Sequence, residues 1–297
     1  ASRDSHVSIG ARGLTHSRYK GCYFWDTEIY MLPFYIYSNP GAARNILLYR
    51  YHTLDAAREH AKKMSSKGAR YPWMSSFDGS EQCESWDIGA CEVHVTCDVS
   101  FAMDRYIQAT GDIRFLLDYA AEVYIETARF WESRFTYSKE QDRYNMLFVK
   151  GPDEYCGSTQ NNVYTNILAC HNLQLALDAL EFLKEKYAGI YNDLIKRLGI
   201  KSDEPAKWRD IIHKVSIPYD GKKDLYLQDD TFMLLEPLDI QSHKTDNIPL
   251  YHSICFDRLQ RYRVVKQADL VLLMVLLPEH FTINQKKTVW NFYEPIT

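Results

Sequence analysis

Apolar residues recur at helical spacing along most of the chain. Ile29, Leu32 and Ile36 form one stripe; Ala43, Ile46, Leu47, Tyr51 and Leu54 form the next. Val95, Val99, Ala102, Met103 and Tyr106 follow, then Phe115, Leu116, Tyr119, Val123, Ala128 and Trp131. A later stripe runs through Ile167, Leu168, His171, Leu175 and Leu183. The spacing predicts helices over about 27–37, 41–64, 92–110, 112–135, 163–187, 204–215, 264–277 and 282–293. Asp26, Asp112 and Asn161-Asn162 stand where helix N-caps belong, Pro40 interrupts, and Gly111 ends a helix. Two long loops, 68–89 and 218–247, carry aromatics and acids, and few strands are evident. Paired helices joined by alternately short and long loops predict an all-α fold, either a closed α/α toroid or an open helical array. In such a fold the long loops gather at one mouth and build a pocket.

Composition narrows the picture. A chain of 297 residues, 46% of them hydrophobic, can bury a large core and is too apolar for a disordered protein. Length suggests one or two domains. A net charge of −4 without any Lys/Arg run argues against nucleic acid or an anionic membrane as partner. The richest apolar run, 268–278, is too short to span a bilayer and contains Asp269. No signal peptide is visible, and the first residue is Ala1 rather than Met, as in a piece of something longer.

Seven cysteines at irregular spacing, with no C-x-x-C pair, predict reduced thiols and a cytoplasmic setting rather than a disulfide framework or zinc site. Cys91, His94 and Cys97 lie three apart and would share a helix face as metal ligands do; small core residues account for the same face. The run Gly10-Ala11-Arg12-Gly13-Leu14 lacks the spacing of a phosphate loop.

Candidate chemistry concentrates in Val149-Lys150-Gly151-Pro152-Asp153-Glu154-Tyr155. Gly151 and Pro152 mark a turn, and a carboxylate pair on a loop between helices stands where a catalytic acid is expected. Glu154 has the longer arm and is the candidate acid, while Asp153 can hydrogen-bond the turn. The plainer alternative is that both merely solvate a loop. Trp25-Asp26, Tyr71-Pro72-Trp73 and Trp86-Asp87 combine aromatic rings with polar groups. Rings stack on pyranose faces, and fixed carboxylates and amides grip hydroxyls. With 22 Tyr and 6 Trp in the chain such pairs also arise by chance, and Trp25-Asp26 reads equally as core plus helix cap. Lys266-Gln267 falls at the start of an apolar helix, either facing water or held in a pocket.

An ordered set of motifs adds to this reading. It comprises Gly10-Ala11-Arg12-Gly13-Leu14, Phe24-Trp25-Asp26-Thr27-Glu28, Tyr49-Arg50-Tyr51-His52-Thr53-Leu54, Tyr71-Pro72-Trp73, Thr110-Gly111-Asp112, Gly151-Pro152-Asp153-Glu154-Tyr155, Asn161-Asn162 and Lys266-Gln267-Ala268-Asp269. Together these resemble the catalytic domain of the inverting disaccharide phosphorylases of glycoside hydrolase family 65, which include maltose, trehalose, kojibiose and nigerose phosphorylases. The resemblance covers nearly the whole chain and implies a single (α/α)6-barrel catalytic domain over residues 1–297. It implies Glu154 as general acid, and Trp25, Asp26, Lys266 and Gln267 as contacts of the bound glucosyl group.

The chemistry so implied suits one essential acid. An inverting hydrolase needs a second carboxylate, roughly 6.5–9.5 Å from the first, to activate water. Phosphate is already an anionic nucleophile, so a phosphorylase does not. An α-glucoside and phosphate would give β-glucose 1-phosphate and the freed acceptor, with phosphate as co-substrate and neither metal nor organic cofactor. Glu154 would have to be protonated when substrate arrives, which favours a pocket that disfavours its charge. A family-related hydrolase of the trehalase type, or a silent carbohydrate-binding fragment, are the alternatives.

Three departures from the family pattern carry expectations of their own. The N-terminal β-sandwich is absent, and the chain stops before the His- and Ser-containing phosphate loop and the last barrel helices. That predicts a fragment whose uncovered apolar faces favour self-association, for instance as a homodimer. The loop Ser75–Glu92 is shorter than is usual, and Cys156-Gly157 replaces a more familiar His after GPDEY. Both suggest an acceptor other than that of maltose.

Overall fold

The computed structural model describes residues 3–13, 17–84, 88–243 and 248–297. It is mostly helical, with two small two-stranded sheets among the described residues. In chain order the helices are α1 (Leu32–Ser38), α2 (Pro40–His52), α3 (Leu54–Lys63), α4 (Val95–Thr110), α5 (Ile113–Phe115), α6 (Ala121–Arg134), α7 (Val163–Lys186), α8 (Ala188–Leu198), α9 (Glu204–Lys214), α10 (Phe256–Leu259), α11 (Asp269–Leu276) and α12 (Ile283–Tyr293). Two compact units are formed, Ala1–Tyr144 with Leu168–Val215, and Asn145–Ile167 with Ser216–Thr297. No described helix is long and apolar enough to cross a membrane.

The first unit buries the expected stripes: Ile29, Leu32 and Ile36, then Ala43, Ile46 and Leu47, then Val95, Val99, Ala102, Met103 and Tyr106. Trp131 and Trp208 are fully buried, and the Trp131 indole donates to Asn172 Oδ1 at 2.9 Å. Beneath this core Arg50 and Glu28, both without solvent exposure, form a two-pronged ion pair at 2.7 and 2.9 Å. The Tyr71 hydroxyl donates to the Arg50 carbonyl at 2.8 Å.

Local chemistry moves several expected boundaries. The predicted 41–64 helix is two helices. Asn39 caps the first by accepting the Ala42 N–H at 3.1 Å. Thr53 ends it, folding its hydroxyl back onto the Tyr49 carbonyl at 2.9 Å, as a Ser/Thr side chain that competes with the backbone does. Asp26 does not cap its helix. It is already helical, with no side-chain cap bond, and the chain enters through a π-turn, Thr27–Met31. The Phe24 and Trp25 carbonyls accept the Thr27 and Ile29 N–H groups instead, at 3.2 and 3.0 Å. Asp112 does act as a cap, accepting from Phe115 N–H at 3.0 Å, and Gly111 closes α4 at φ 69°. α8, which the apolar spacing had not singled out, buries little beyond Leu194.

In the second unit the stretch expected to be loop holds a hairpin. Strand β1 (Tyr219–Asp220) pairs antiparallel with β2 (Leu225–Tyr226), Tyr219 opposite Tyr226. α12 opens with a capping box of Thr282 and Gln285 and ends on buried Tyr293. The Tyr293 hydroxyl accepts the Gln228 N–H at 2.8 Å and so fixes the chain after the hairpin. The predicted 264–277 helix starts only at Asp269. Val265 gives its N–H to Ile296 and Lys266 gives its N–H to Asp153, so this backbone is committed outside a helix. Lys266 and Gln267 therefore lie in a bend that precedes the apolar helix.

Candidate active site

The loop that carries Glu154 is fastened at both ends. Val149 and Thr159 exchange backbone hydrogen bonds at 3.0 and 2.8 Å. Asn161, at φ 55°, accepts the Met146 N–H at 2.8 Å and donates to Asn145 and Asp230. Asn162 caps α7, accepting the Thr165 N–H at 3.0 Å, and donates to Asp269 Oδ2 at 2.7 Å. That Asn162–Asp269 pair explains Gly151. A Cβ there would fall 2.3 Å from both Asn162 Nδ2 and Asp269 Oδ2, so only glycine lets the turn close over them.

Asp153 roots the loop. It is 2% exposed. Its Oδ1 accepts the Lys266 N–H at 2.8 Å and the Tyr155 N–H at 3.0 Å, and its Oδ2 accepts Gln228 Nε2 at 2.9 Å. Burial pushes this carboxyl up, while each of the three donors favours the ionised form. The expected turn-bonding role of Asp153 is thus present, and it reaches further, to residue 266.

Glu154 points the other way, toward solvent. Its carboxylate accepts Lys266 Nζ at 2.6 Å and Gln267 Nε2 at 2.6 Å, and its own N–H is given to Gln267 Oε1 at 3.2 Å. The side chains of Glu154 and Lys266 are 46% and 35% exposed. Burial acts to raise the Glu154 carboxyl, but the hydrogen bond and charge of Lys266, with the Gln267 amide, outweigh it and hold the group below its ordinary value. The expectation of a pocket that disfavours its charge is therefore corrected: the surroundings seen here favour the carboxylate. Cys156 beside it is kept a thiol by burial, reinforced by Asp229, Asp153 and Asp269.

Three of the five sequence-predicted site residues, Glu154, Lys266 and Gln267, thus meet within the second unit. Trp25 and Asp26 belong to the first unit. Trp25 is 8% exposed, and its ring meets His94 edge-on at 4.9 Å and Tyr30 at 5.2 Å. Asp26 is half-buried at the mouth of the π-turn. His94 is held by Asp98 at 2.7 Å and the Cys97 thiol by the His94 carbonyl, both in the core, while half-buried Cys91 ends a separate short turn, so the three do not share one helix face. The Trp73 indole donates to Glu92, and Tyr71 is buried, so these two support the fold rather than offer a stacking face. Trp86-Asp87 lies outside the described residues.

Gln228 and Asp269 were not foreseen in their roles. A glutamine in a loop carries no sequence signal of what it supports. Asp269 had one, its place in the Lys266-Gln267-Ala268-Asp269 run.

Comparison with known proteins identifies the family. The model of the glycosyl hydrolase family 65 central catalytic domain matches residues 1–297. A kojibiose phosphorylase of Caldanaerobacter subterraneus subsp. tengcongensis is 41% identical over 99% of this chain and 40% of its own length. An alpha,alpha-trehalose phosphorylase of Thermoanaerobacter brockii is 38% identical over 99% of this chain and 38% of its own length. For a maltose phosphorylase of Bacillus subtilis the figures are 34%, 99% and 38%. A solved structure titled "Putative kojibiose phosphorylase from human microbiome" superposes with a TM-score of 0.91 at 33% identity, covering 99% of this chain and 43% of that one. The chain spans about 40% of the length of the curated relatives it matches. With its whole length matched by the family's catalytic-domain model, this chain belongs to glycosyl hydrolase family 65.

Proposed function

We propose that the protein carrying this chain cleaves an α-glucosyl disaccharide or glucoside with inorganic phosphate and inverts the anomeric centre, giving β-glucose 1-phosphate and the free acceptor. In this reading residues 1–297 form one catalytic domain and contribute to an (α/α)6-barrel. Glu154 protonates the leaving oxygen, and phosphate attacks the opposite face of the sugar. Lys266 and Gln267, with Trp25 and Asp26, hold the glucosyl hydroxyls. No metal or organic cofactor takes part.

The observation that carries the reading is the exposed Glu154 carboxyl, rooted on buried Asp153 and met by the Lys266 and Gln267 side chains. The relatives named as phosphorylases favour phosphate over water as nucleophile. Greater identity to kojibiose phosphorylases than to a maltose phosphorylase supports an acceptor other than that of maltose.

The test uses the protein at the full length its gene encodes. It is offered a panel of α-glucosyl disaccharides with and without phosphate, and products are followed by proton NMR. The expected result is turnover only with phosphate, a β-glucose 1-phosphate product and no preference for maltose. Glucose release in phosphate-free buffer would instead favour the hydrolase, and a marked preference for maltose would remove the acceptor assignment.

A further inference from the structure

The acid of the proposed reaction must carry a proton, yet its own neighbours hold it as a carboxylate. Those neighbours are the two side chains assigned to the sugar. Lys266 Nζ and Gln267 Nε2 each reach one Glu154 oxygen at 2.6 Å, so both groups assigned to the hydroxyls are turned toward the acid and each gives it an N–H. Resting on the proposed function, we infer that Lys266 and Gln267 serve two ligands in turn: the Glu154 carboxylate until a glucosyl group arrives, and the sugar hydroxyls thereafter, so that binding itself frees Glu154 to take up the proton it later donates.

Three features make the exchange physically reasonable. The Lys266–Glu154 pair is accessible: these two side chains are between one third and one half exposed, so a ligand can reach them. An exposed Lys–carboxylate pair contributes little net stability, so a sugar hydroxyl competes on nearly equal terms. The backbones on either side stay fixed meanwhile, because buried Asp153, next to Glu154 in the chain, binds the Lys266 and Tyr155 N–H groups. Only side-chain torsions need change.

The groups that act on the Glu154 carboxyl are Lys266 and Gln267 at contact and Lys150 through its charge, with the Tyr155 phenol next in chain. When Lys266 and Gln267 turn to the sugar, the stabilisation they gave the anion is lost. The sugar ring also excludes water, which adds to the burial that already disfavours the charge. Glu154 then takes a proton from solvent. As the bond from C1 to the leaving oxygen breaks, that proton passes to the oxygen while a phosphate oxygen bonds C1. Hydrogen phosphate loses one proton in becoming the glucosyl phosphate dianion, so the turnover balances. Glu154 ends as a carboxylate, which Lys266 and Gln267 recapture as products leave.

The test is proton uptake on binding. D-glucose, which has the hydroxyls but no bond to break, is titrated into the full-length protein by calorimetry at pH 7. Phosphate-free buffers of widely different ionisation heats are used. The expected result is a buffer-dependent heat corresponding to uptake approaching one proton per glucose bound. In the near-isosteric Glu154→Gln variant glucose should still bind with no uptake. Binding with the same heat in every buffer would overturn the exchange while leaving the proposed function standing. Uptake that persists in Glu154→Gln would assign the proton elsewhere and also overturn it. If glucose does not bind at all, the proposed function falls first and this inference with it.

Discussion

Arg50–Glu28 and Lys266–Glu154 are both cation–carboxylate pairs with hydrogen bonds of 2.6 to 2.9 Å, one in each unit of the chain. They differ in water. Arg50 and Glu28 are wholly unexposed, and the planar guanidinium meets both carboxylate oxygens, a geometry that no passing ligand can enter. Glu154 and Lys266 are open to solvent, and the flexible ammonium meets one oxygen, leaving the other to Gln267. The same interaction therefore fixes the core in one place and remains exchangeable in the other. Burial, more than the identity of the charges, separates a structural pair from one that can do chemistry.

The two pairs should differ most in activity. Glu154→Gln should lower disaccharide phosphorolysis by about a hundred- to ten-thousand-fold, the usual worth of a general acid, with little change in KM or melting temperature. Arg50→Met should do the reverse. It strands a buried Glu28 carboxylate and should cost about 3–5 kcal/mol in urea unfolding.

The buried His94 supplies a pH test in the same unit as Arg50. Burial acts to lower its pKa, but Asp98 and Glu92 override that and lift it to about 9. A raised pKa contributes stability in full below the ordinary value of 6.5, and the contribution is lost as pH rises through about 9. Unfolding free energy should fall on the order of 3 kcal/mol between those limits, and His94→Gln should flatten the slope. Gly151→Ala, with its Cβ driven into Asn162 and Asp269, should cost about 1–3 kcal/mol and shift the acid loop enough to reduce kcat. Lys266→Met should change stability by under about 1 kcal/mol, which completes the contrast with Arg50.

Much of the fold was legible because helices announce themselves by period. The stripes through Val95–Tyr106 and Ile29–Ile36 are buried as read, and Asp112, Gly111 and Asn162 terminate helices as their chemistry predicts. What the period could not show was where tertiary hydrogen bonds claim the backbone. Lys266 gives its N–H to Asp153, 113 residues away, and the apolar run that reads as helix from 264 becomes helical only at 269. Asp26 failed as a cap because backbone carbonyls took the N–H groups it would have served. In the site, Glu154 was visible as the longer acid on a Gly-Pro turn. That Lys266 and Gln267 would rest on the acid itself was not, since two segments distant in sequence carry no local mark of meeting.

The central claim is that Glu154 gives a proton to the leaving oxygen. It is tested most directly by comparing wild type and Glu154→Gln on two glucosyl donors in the presence of phosphate. One is an α-glucosyl disaccharide, whose alcohol leaving group needs the proton; the other is α-glucosyl fluoride, whose leaving group needs it far less. The account predicts that the variant loses the disaccharide reaction but keeps most of its turnover of the fluoride. An equal loss on both donors would contradict it.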